Sequence, residues 1–265
     1  MSFLKNNNKS GEATFWEHLE DLRWTIIRVL AVVVVLIIVV FSFKDFLFSD
    51  IVLKPLNSDF ILYRLLCKLS VFLNIPEICP EPFHLELINI DLSGQFMAHL
   101  GTSITAGLLI AVPYILYELW RFIYPALYPH EKKNTGYIFL ISSLLFYLGA
   151  IISFVLIFPL TIRFLGTYTV SELVPNQISI QSYLSTLFLL IFSLGIMFEL
   201  PVLTFFLSKI GVVNKSMMRK GRKYAFVTIL ILSAVITPTT DPFTMLVVAL
   251  PIYLLYEASI PVCRR

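Results

Sequence analysis

The fold is decided by residues 24–43, WTIIRVLAVVVVLIIVVFSF, which carry one charged side chain, Arg28, in twenty positions. An α-helix of about 20 apolar residues spans the roughly 30 Å hydrocarbon core of a bilayer. A cleaved signal peptide has a shorter apolar segment followed by a small-residue cleavage site, and neither feature is present. The sequence therefore predicts a permanent transmembrane helix at 24–43.

The composition of the whole chain agrees with a membrane protein. Of 265 residues, 58% are hydrophobic and 14% are charged, and the mean hydropathy is +0.85. Soluble domains carry about 25% charged residues, so too little polar material is present to cover a soluble globule or to keep the chain disordered. The apolar stretches are continuous rather than alternating, which favours helices over a membrane barrel.

Five further apolar segments follow the first, and we predict an all-α membrane protein with six transmembrane helices in one domain, 1–265. The predicted spans are 24–43, 96–120, 137–158, 183–207, 224–237 and 243–256, the last two being short. The largest segment outside them is the loop 44–95.

The distribution of basic residues predicts the orientation. If residue 1 lies inside, six crossings leave only Lys44, Lys54, Arg64, Lys68 and Arg163 of the 20 lysines and arginines outside. Because basic residues accumulate on the cytoplasmic side, we expect both termini in the cytoplasm and the protein in the cell (inner or plasma) membrane.

The sequence contains no recognisable catalytic or cofactor-binding signature. His130 and Glu131 begin a zinc-protease pattern, but Asn134 stands where the second histidine is required. No phosphate-binding loop and no nucleophile elbow are present. We predict a protein that is not an enzyme, with no cofactor and no metal site.

Acidic side chains interrupt the basic inner side at two places. Residues 15–26 have apolar positions at helical spacing, which predicts a short amphipathic helix at the interface with Glu17, Glu20 and Asp21 on its outer face. Glu131 lies in the loop between the second and third spans. These acids suit a cationic ligand, arginine above all, although acids in a first helical turn also favour the helix dipole and Glu131 also suits a pair with a neighbouring lysine.

Glu199 lies about 16 residues into the fourth predicted span. A carboxyl group there costs about 2.5–3.5 kcal/mol on insertion scales, so it should face protein or water rather than lipid. Pro201 removes a helical hydrogen bond and predicts a kink. Three roles fit Glu199: a protonated carboxyl bonded to a neighbouring span, a docking point for another helix, or a proton-linked site.

Two cysteines fall in the outer loop, where oxidation is permitted. Either a disulfide between Cys67 and Cys79 or two buried free thiols fits the sequence. Asp59 predicts the start of a helix at 60–73 in this loop, stopped by Pro76.

Four motifs resemble the TatC family, the multi-spanning receptor subunit of the twin-arginine (Tat) protein translocase. They are HLEDLR at 18–23, ILYELWRFIYPALYPHEKK at 115–133, FELPV at 198–202 and ITPTTD at 236–241. The resemblance covers essentially the whole chain, and the second motif is the most specific. It implies a protein that binds twin-arginine signal peptides at the cytoplasmic face and scaffolds single-span TatA and TatB partners. Export of folded proteins would then be driven by the proton-motive force.

The same resemblance implies roles for individual residues. Asp21 and Glu131 match the two signal-binding acids, with Glu20 as the adjacent alternative, and Phe122 and Leu127 match positions near the signal peptide. Glu199 matches an intramembrane carboxyl that partner helices approach, while Pro55 and Asp241 match outer positions linked to translocation. The chain departs from the family at Asp21, where Glu is usual, and at Glu118, where Gln is frequent.

A second function fits the residues without the resemblance. In a proton-coupled small-solute transporter, Glu199 and Glu118 would be the titrating groups. The sequence shows no inverted repeat and no matched pair of interrupted helices of the kind such carriers use.

Overall fold

The computed structural model describes residues 15–57, 59–73, 75, 79, 85–123, 135–169, 171, 176–237 and 241–263, and of residues 15–18, 123 and 135–137 the backbone only. The described α-helices are α1 Phe15–Ser42, α2 Ile61–Leu73, α3 Gly94–Ile123, α4 Thr135–Ile152, α5 Phe158–Thr167, α6 Ile180–Met197, α7 Leu200–Lys209, α8 Lys215–Ile236 and α9 Pro242–Val262. A π-helical segment Phe46–Val52 and a 3₁₀ turn Lys54–Leu56 follow α1, and a second π-helical segment, Ser153–Ile157, joins α4 to α5.

Five segments are long and apolar enough to cross a membrane, which confirms a multi-span helical membrane protein. They are Leu19–Ser42, Gly94–Phe122, Ile138–Thr167, Ile180–Lys209 and Pro242–Val262. The remaining predicted span, 224–237, falls in α8, whose first nine residues include five lysines and arginines. The count of six spans stays a prediction.

The last two helices are longer than the sequence predicted. Helix α8 has 22 residues and begins at Lys215, and α9 has 21 residues and ends at Val262. The Asn214 side chain accepts a hydrogen bond of 2.8 Å from the Met217 amide and caps α8. Lysine and arginine are good helix formers, so the helix continues where hydropathy falls. The apolar segments are short, but the helices that contain them are not.

The predicted separate amphipathic helix at the N-terminus is also corrected. Helix α1 is continuous from Phe15 to Ser42. Neither glycine nor proline, the residues that break helices most readily, occurs in this segment. The acidic segment is therefore the first part of the helix that continues into the first apolar span.

The helices of the bundle meet at a common end, which we name the basic end, where α1, α4 and α8 begin and α3, α7 and α9 end. Three contacts join pairs of helices at this end: Arg28 with Glu118 (α1 and α3), Trp120 with Phe206 (α3 and α7), and Tyr256 with the Met218 carbonyl (α9 and α8). At the other end, two-residue strands β1 Leu87–Ile88 and β2 Ile178–Ser179 pair in parallel, with Leu87 opposite Ile178 and Ile88 opposite Ser179. This small pairing was not predicted, because a two-residue strand has no periodicity to detect.

Helix α2 and the disulfide organise the loop at the other end of the bundle. Its range, Ile61–Leu73, agrees within one residue with the predicted 60–73, whereas Pro76 lies outside the described residues. Cys67 and Cys79 are joined by a disulfide with a Cα–Cα distance of 4.2 Å. The Tyr63 hydroxyl donates a hydrogen bond of 3.2 Å to the Pro159 carbonyl. Burial raises the pKa of Tyr63 to about 12, which keeps this donor protonated.

Glycines allow α4 and α6 to approach closely in the core. A Cβ atom built on Gly149 would lie 2.7 Å from the Leu194 carbonyl oxygen, and one on Gly195 would lie 2.6 Å from the Phe146 ring. Small residues at such crossings bring helix backbones together in membranes, where the hydrophobic effect does not drive helices together. Gly149 and Gly195 therefore set the distance between α4 and α6.

We predict opposite effects of alanine at two helical glycines. Gly149→Ala should lower the free energy of unfolding by about 1–3 kcal/mol, because the methyl group meets a backbone oxygen that cannot rotate away. Gly101→Ala is the matched control, since a Cβ there has no neighbour within 4 Å and alanine favours a helix by about 0.5–1 kcal/mol. Thermal unfolding of both variants in one detergent checks this, and equal midpoints would contradict the role of Gly149.

Candidate functional site

The two candidate acids of the first motif lie near the start of α1. Glu20 and Asp21 are exposed, and neither forms a salt bridge among the described residues. Asp21 precedes Arg28 by seven residues, two helical turns, so both lie on the same face of α1. Glu20 lies about 100° around the helix from Asp21. Asp21 therefore shares the face that α1 turns toward α3, and Glu20 does not.

Arg28 joins that face to α3 through an ion pair whose carboxylate is buried. Its Nη2 atom lies 2.8 Å from Glu118 Oε2, and its Nε atom donates to both carboxylate oxygens at 3.2 Å. The Glu118 side chain is 2% exposed and that of Arg28 is 38% exposed. Hydrogen bonds from a fork-shaped guanidinium satisfy a carboxylate that could not stay ionised alone in an apolar surrounding.

Further polar groups complete this cluster. The Tyr114 hydroxyl donates to Glu118 Oε1 at 3.3 Å, and Arg121 Nη1 lies 3.6 Å from the same oxygen. Arg28 also donates to the Thr25 hydroxyl at 3.1 Å. Glu118 is therefore surrounded by donors from two helices.

Sequence reasoning missed this cluster. From the sequence, Glu118 is a departure from a family pattern and a candidate titrating group of a carrier, and Arg28 is a basic residue of the first span; nothing in the sequence pairs the two. The sequence does contain a signal for it: the first apolar span holds a positive side chain, Arg28, and the next holds a negative one, Glu118. Because consecutive spans run antiparallel, a charge early in the first and one late in the second reach the same end of the bundle.

Glu199 occupies the turn between α6 and α7. The backbone breaks at Phe198 and Glu199, and Pro201 lies in the first turn of α7, as the predicted kink requires. The Ser142 hydroxyl of α4 donates to Glu199 Oε2 at 2.6 Å. The second oxygen, Oε1, is buried and has no hydrogen-bond partner in the described structure.

Glu199 lines a cavity of about 350 Å³. The other lining residues are Leu116, Leu119, Trp120, Ser142, Val202, Leu203 and Phe206. The Trp120 Nε1 atom is likewise buried without a partner in the described structure, and its ring lies 4.6 Å from that of Phe206. An apolar cavity that holds one open acceptor and one open donor can take a side chain that both donates and accepts.

The remaining candidates that the structure describes lie at different ends of the bundle. Phe122 is half-buried at the end of α3, near the Glu118 cluster in sequence, while Leu127 and Glu131 lie outside the described residues. Pro55 is buried in the 3₁₀ turn that follows α1. Asp241 caps α9: its Oδ1 accepts a hydrogen bond of 2.7 Å from the Thr244 amide, and its Oδ2 accepts one from the Thr244 hydroxyl. Pro55 and Asp241 lie away from the basic end.

The known proteins that the chain resembles settle its family. A family model described as TatC, Sec-independent protein translocase protein, matches residues 17–251. This chain belongs to the TatC family. The match confirms the resemblance predicted from the four motifs and identifies a multi-pass membrane protein of the Sec-independent protein translocase family.

Individual TatC proteins match over nearly full length. The Sec-independent protein translocase protein TatC of Blattabacterium sp. subsp. Periplaneta americana is 34% identical over 255 residues, covering 96% of both chains. That of Aquifex aeolicus is 32% identical over 245 residues, covering 92% of both.

Solved TatC structures share this fold. A crystal structure of the twin arginine translocase receptor TatC in DDM matches with a TM-score of 0.73 and 32% identity, covering 94% of this chain and 100% of the solved one. Another TatC receptor crystal structure matches with a TM-score of 0.67 and 31% identity, covering 93% and 97%.

We predict that breaking the Arg28–Glu118 pair from one side destabilises the bundle more than removing both charges. Glu118→Ala removes the carboxylate that accepts hydrogen bonds from Arg28 and Tyr114 and should lower the free energy of unfolding. The double variant Arg28→Met with Glu118→Met should recover most of this loss, because two apolar side chains suit the surrounding. Unfolding titrations in mixed micelles measure both.

The control is another ion pair at the basic end. Arg222 Nη2 lies 2.7 Å from Glu257 Oε2, with side chains 50% and 30% exposed. Because exposed pairs contribute little, Glu257→Ala should cost under about 1 kcal/mol. Equal losses for Glu118→Ala and Glu257→Ala would contradict the role assigned to burial.

Proposed function

We propose that this chain is the signal-peptide receptor and scaffold of the twin-arginine translocase. The observation that carries the proposal is the TatC family match over residues 17–251. In this role the chain binds twin-arginine signal peptides at the cytoplasmic face and assembles with single-span TatA and TatB subunits. Transport of folded proteins is driven by the proton-motive force, without a nucleotide and without catalysis by the chain itself.

The basic end is the proposed cytoplasmic face, with both termini on that side. Fifteen of the 20 lysines and arginines fall on this side of the predicted spans, as the positive-inside tendency requires. A receptor for basic peptides then needs acidic side chains on this basic face that are exposed and not already paired with a lysine or arginine. Asp21 meets this requirement because it is exposed and makes no salt bridge among the described residues.

Asp21 and Glu131 are the proposed contacts for the two arginines. A guanidinium binds a carboxylate through two parallel hydrogen bonds and stays charged, which favours arginine over lysine. Asp21 shares a face with Arg28 and so lies beside the end of α3, which leads directly into the segment containing Leu127 and Glu131. Phe122, at that end, is the proposed apolar contact. Glu20 faces another direction and is the alternative acid.

Glu199 is the proposed docking point for a partner helix. The support is its unpartnered Oε1 atom, the nearby unpartnered Trp120 Nε1 atom and the apolar cavity around both. Pro55 and Asp241 would act at the outer side, where the buried turn and the cap of α9 hold the chain in place during transport.

The small-solute transporter is not favoured. Such a carrier needs carboxyl groups that release and take up protons, but Glu118 is occupied by Arg28 at 2.8 Å. Family membership also points to protein transport. Of the two carboxyl groups, Glu118 and Glu199, Glu199 is the one that keeps an open oxygen in the described structure.

We predict that Asp21 recognises arginine specifically. A twin-arginine signal peptide should bind the detergent-purified protein more tightly than its twin-lysine version. Asp21→Asn should weaken binding of the twin-arginine peptide about tenfold or more, because a charge-assisted hydrogen bond contributes about 1.5–3 kcal/mol. Fluorescence anisotropy of a labelled peptide measures the affinities.

Glu20→Gln is the matched control, since it removes a neighbouring charge from another face of α1 and should leave the affinity nearly unchanged. The opposite ranking of the two variants would move the contact to Glu20. Glu131→Lys should weaken binding as well, and an unchanged affinity would remove Glu131 from the site.

We predict that a partner helix docks at Glu199. A cysteine at Leu203, an exposed position that lines the Glu199 cavity, should crosslink to cysteines in a TatA or TatB span. Adding Glu199→Ala should reduce the crosslink, because the docking acceptor is lost. A cysteine at Val34, exposed on α1, is the control, and crosslinks only from α1 would contradict the assignment.

A further inference from the structure

The first turns of α8 present a dense group of positive charges. Lys215, Arg219, Lys220, Arg222 and Lys223 fall within nine residues that contain no acid. An open depression of about 680 Å³ lies against this segment. It is lined by Asn214, Lys215, Ser216, Arg219 and Lys220. The proposed receptor site at Asp21 does not use these residues.

The cations lie on one side of the helix. At about 100° per residue, Lys215, Arg219, Lys223 and Lys220 fall within an arc of roughly 140°. Helix α9 packs on another side, where Met218 is buried and its carbonyl accepts a hydrogen bond of 2.7 Å from the Tyr256 hydroxyl. The charged arc therefore faces away from the neighbouring helix.

Three of these cations have neither a counter-ion nor a ring contact in the described structure. Arg222 is paired with Glu257 at 2.7 Å, and Lys223 lies 5.0 Å from the Tyr224 ring centroid. Lys215, Arg219 and Lys220 have no carboxylate within salt-bridge distance among the described residues. The Asn214 side chain already caps the Met217 amide, so the positive character comes from side chains rather than from the helix terminus.

An exposed apolar surface continues directly from the charged arc. Val227 follows Lys220 by two turns, and Ile231 follows Val227 by one, so the three lie along one strip of α8. Val227 is 54% exposed and Ile231 is 60% exposed. Val227 and Ile231 belong to the apolar part of α8, residues 224–236, so the cations just before it lie at the membrane surface.

We propose that Lys215, Arg219 and Lys220 bind the headgroup phosphate of an anionic phospholipid, whose acyl chain lies along Val227 and Ile231. Clusters of four to eight basic residues next to a transmembrane helix attract anionic lipids, and basic pockets between such helices bind their headgroups. A soluble anion would satisfy the charges but not the apolar strip. The apolar part of α8, residues 224–236, is too short to span a bilayer alone. The bound lipid would hold the basic part of the helix at the membrane surface.

Native mass spectrometry of the detergent-purified protein tests this proposal. The probes are dioleoylphosphatidylglycerol and dioleoylphosphatidylcholine, titrated separately. The intact chain should bind phosphatidylglycerol more tightly. The triple variant Lys215→Gln, Arg219→Gln and Lys220→Gln should lose about a hundredfold in phosphatidylglycerol affinity, at about fivefold per charge, and should bind phosphatidylcholine as before.

The matched control removes three charges near the other end of the bundle: Lys44→Gln, Lys54→Gln and Lys68→Gln. Its phosphatidylglycerol affinity should change only a few-fold. The single variant Arg219→Lys keeps the charge and should bind normally, which separates lost charge from lost folding. Equal effects of the two triple variants would overturn the proposal. Displacement of the lipid by millimolar inorganic phosphate would also overturn it, because the site would then take a free anion.

Discussion

The ion pair between Arg28 and Glu118 is the interaction on which the arrangement of the basic end depends. Helix α1 is mostly exposed. Of its most apolar 18-residue stretch, 11% is buried, against 44% of the corresponding stretch in the α6–α7 segment. Helix α1 packs mainly on α3, and two charges inside apolar helices can remain there only if they meet. The pair therefore sets the rotation of α1 and its height against α3 at the basic end, while the close approach of Ile37 to Gly107 and the stacking of Phe41 on His99 hold the rest of α1. Asp21 lies two turns before Arg28 on the same face of α1, so the ion pair also sets the side of the helix on which Asp21 lies.

Glu199, another carboxyl group inside the bundle, has fewer hydrogen-bond partners than Glu118. Glu118 is enclosed by Arg28, Tyr114 and Arg121, whereas Glu199 receives one hydrogen bond, from Ser142, and keeps an unpartnered oxygen. A fully paired group stabilises the chain that contains it. A half-paired group in an apolar cavity has an unmet interaction that another polypeptide can supply. The contrast assigns a structural role to Glu118 and supports a binding role for Glu199.

Charge also divides the basic end into two surfaces of opposite character. The start of α1 presents acids, and the start of α8 presents cations without counter-ions. A basic peptide is attracted to the first surface and repelled by the second, while an anionic lipid behaves in the opposite way. The two ligands proposed for this end would therefore not compete, and lipid held at α8 would keep the cationic surface occupied.

The sequence by itself determined the membrane class, the approximate positions of the spans, helix α2, the break before Pro201 and the family. These depend on local properties, namely hydropathy over about 20 residues, turn-forming residues and contiguous motifs. The sequence did not determine that α1 runs unbroken through its acidic segment or that α8 extends far beyond its apolar part, because hydropathy marks where a helix meets lipid and not where it ends. Nor did it reveal which charges meet. Arg28 and Glu118 are 90 positions apart, and Glu199 and Ser142 are 57 apart, so only the packing of helices against one another decided which carboxyl is paired and which remains open.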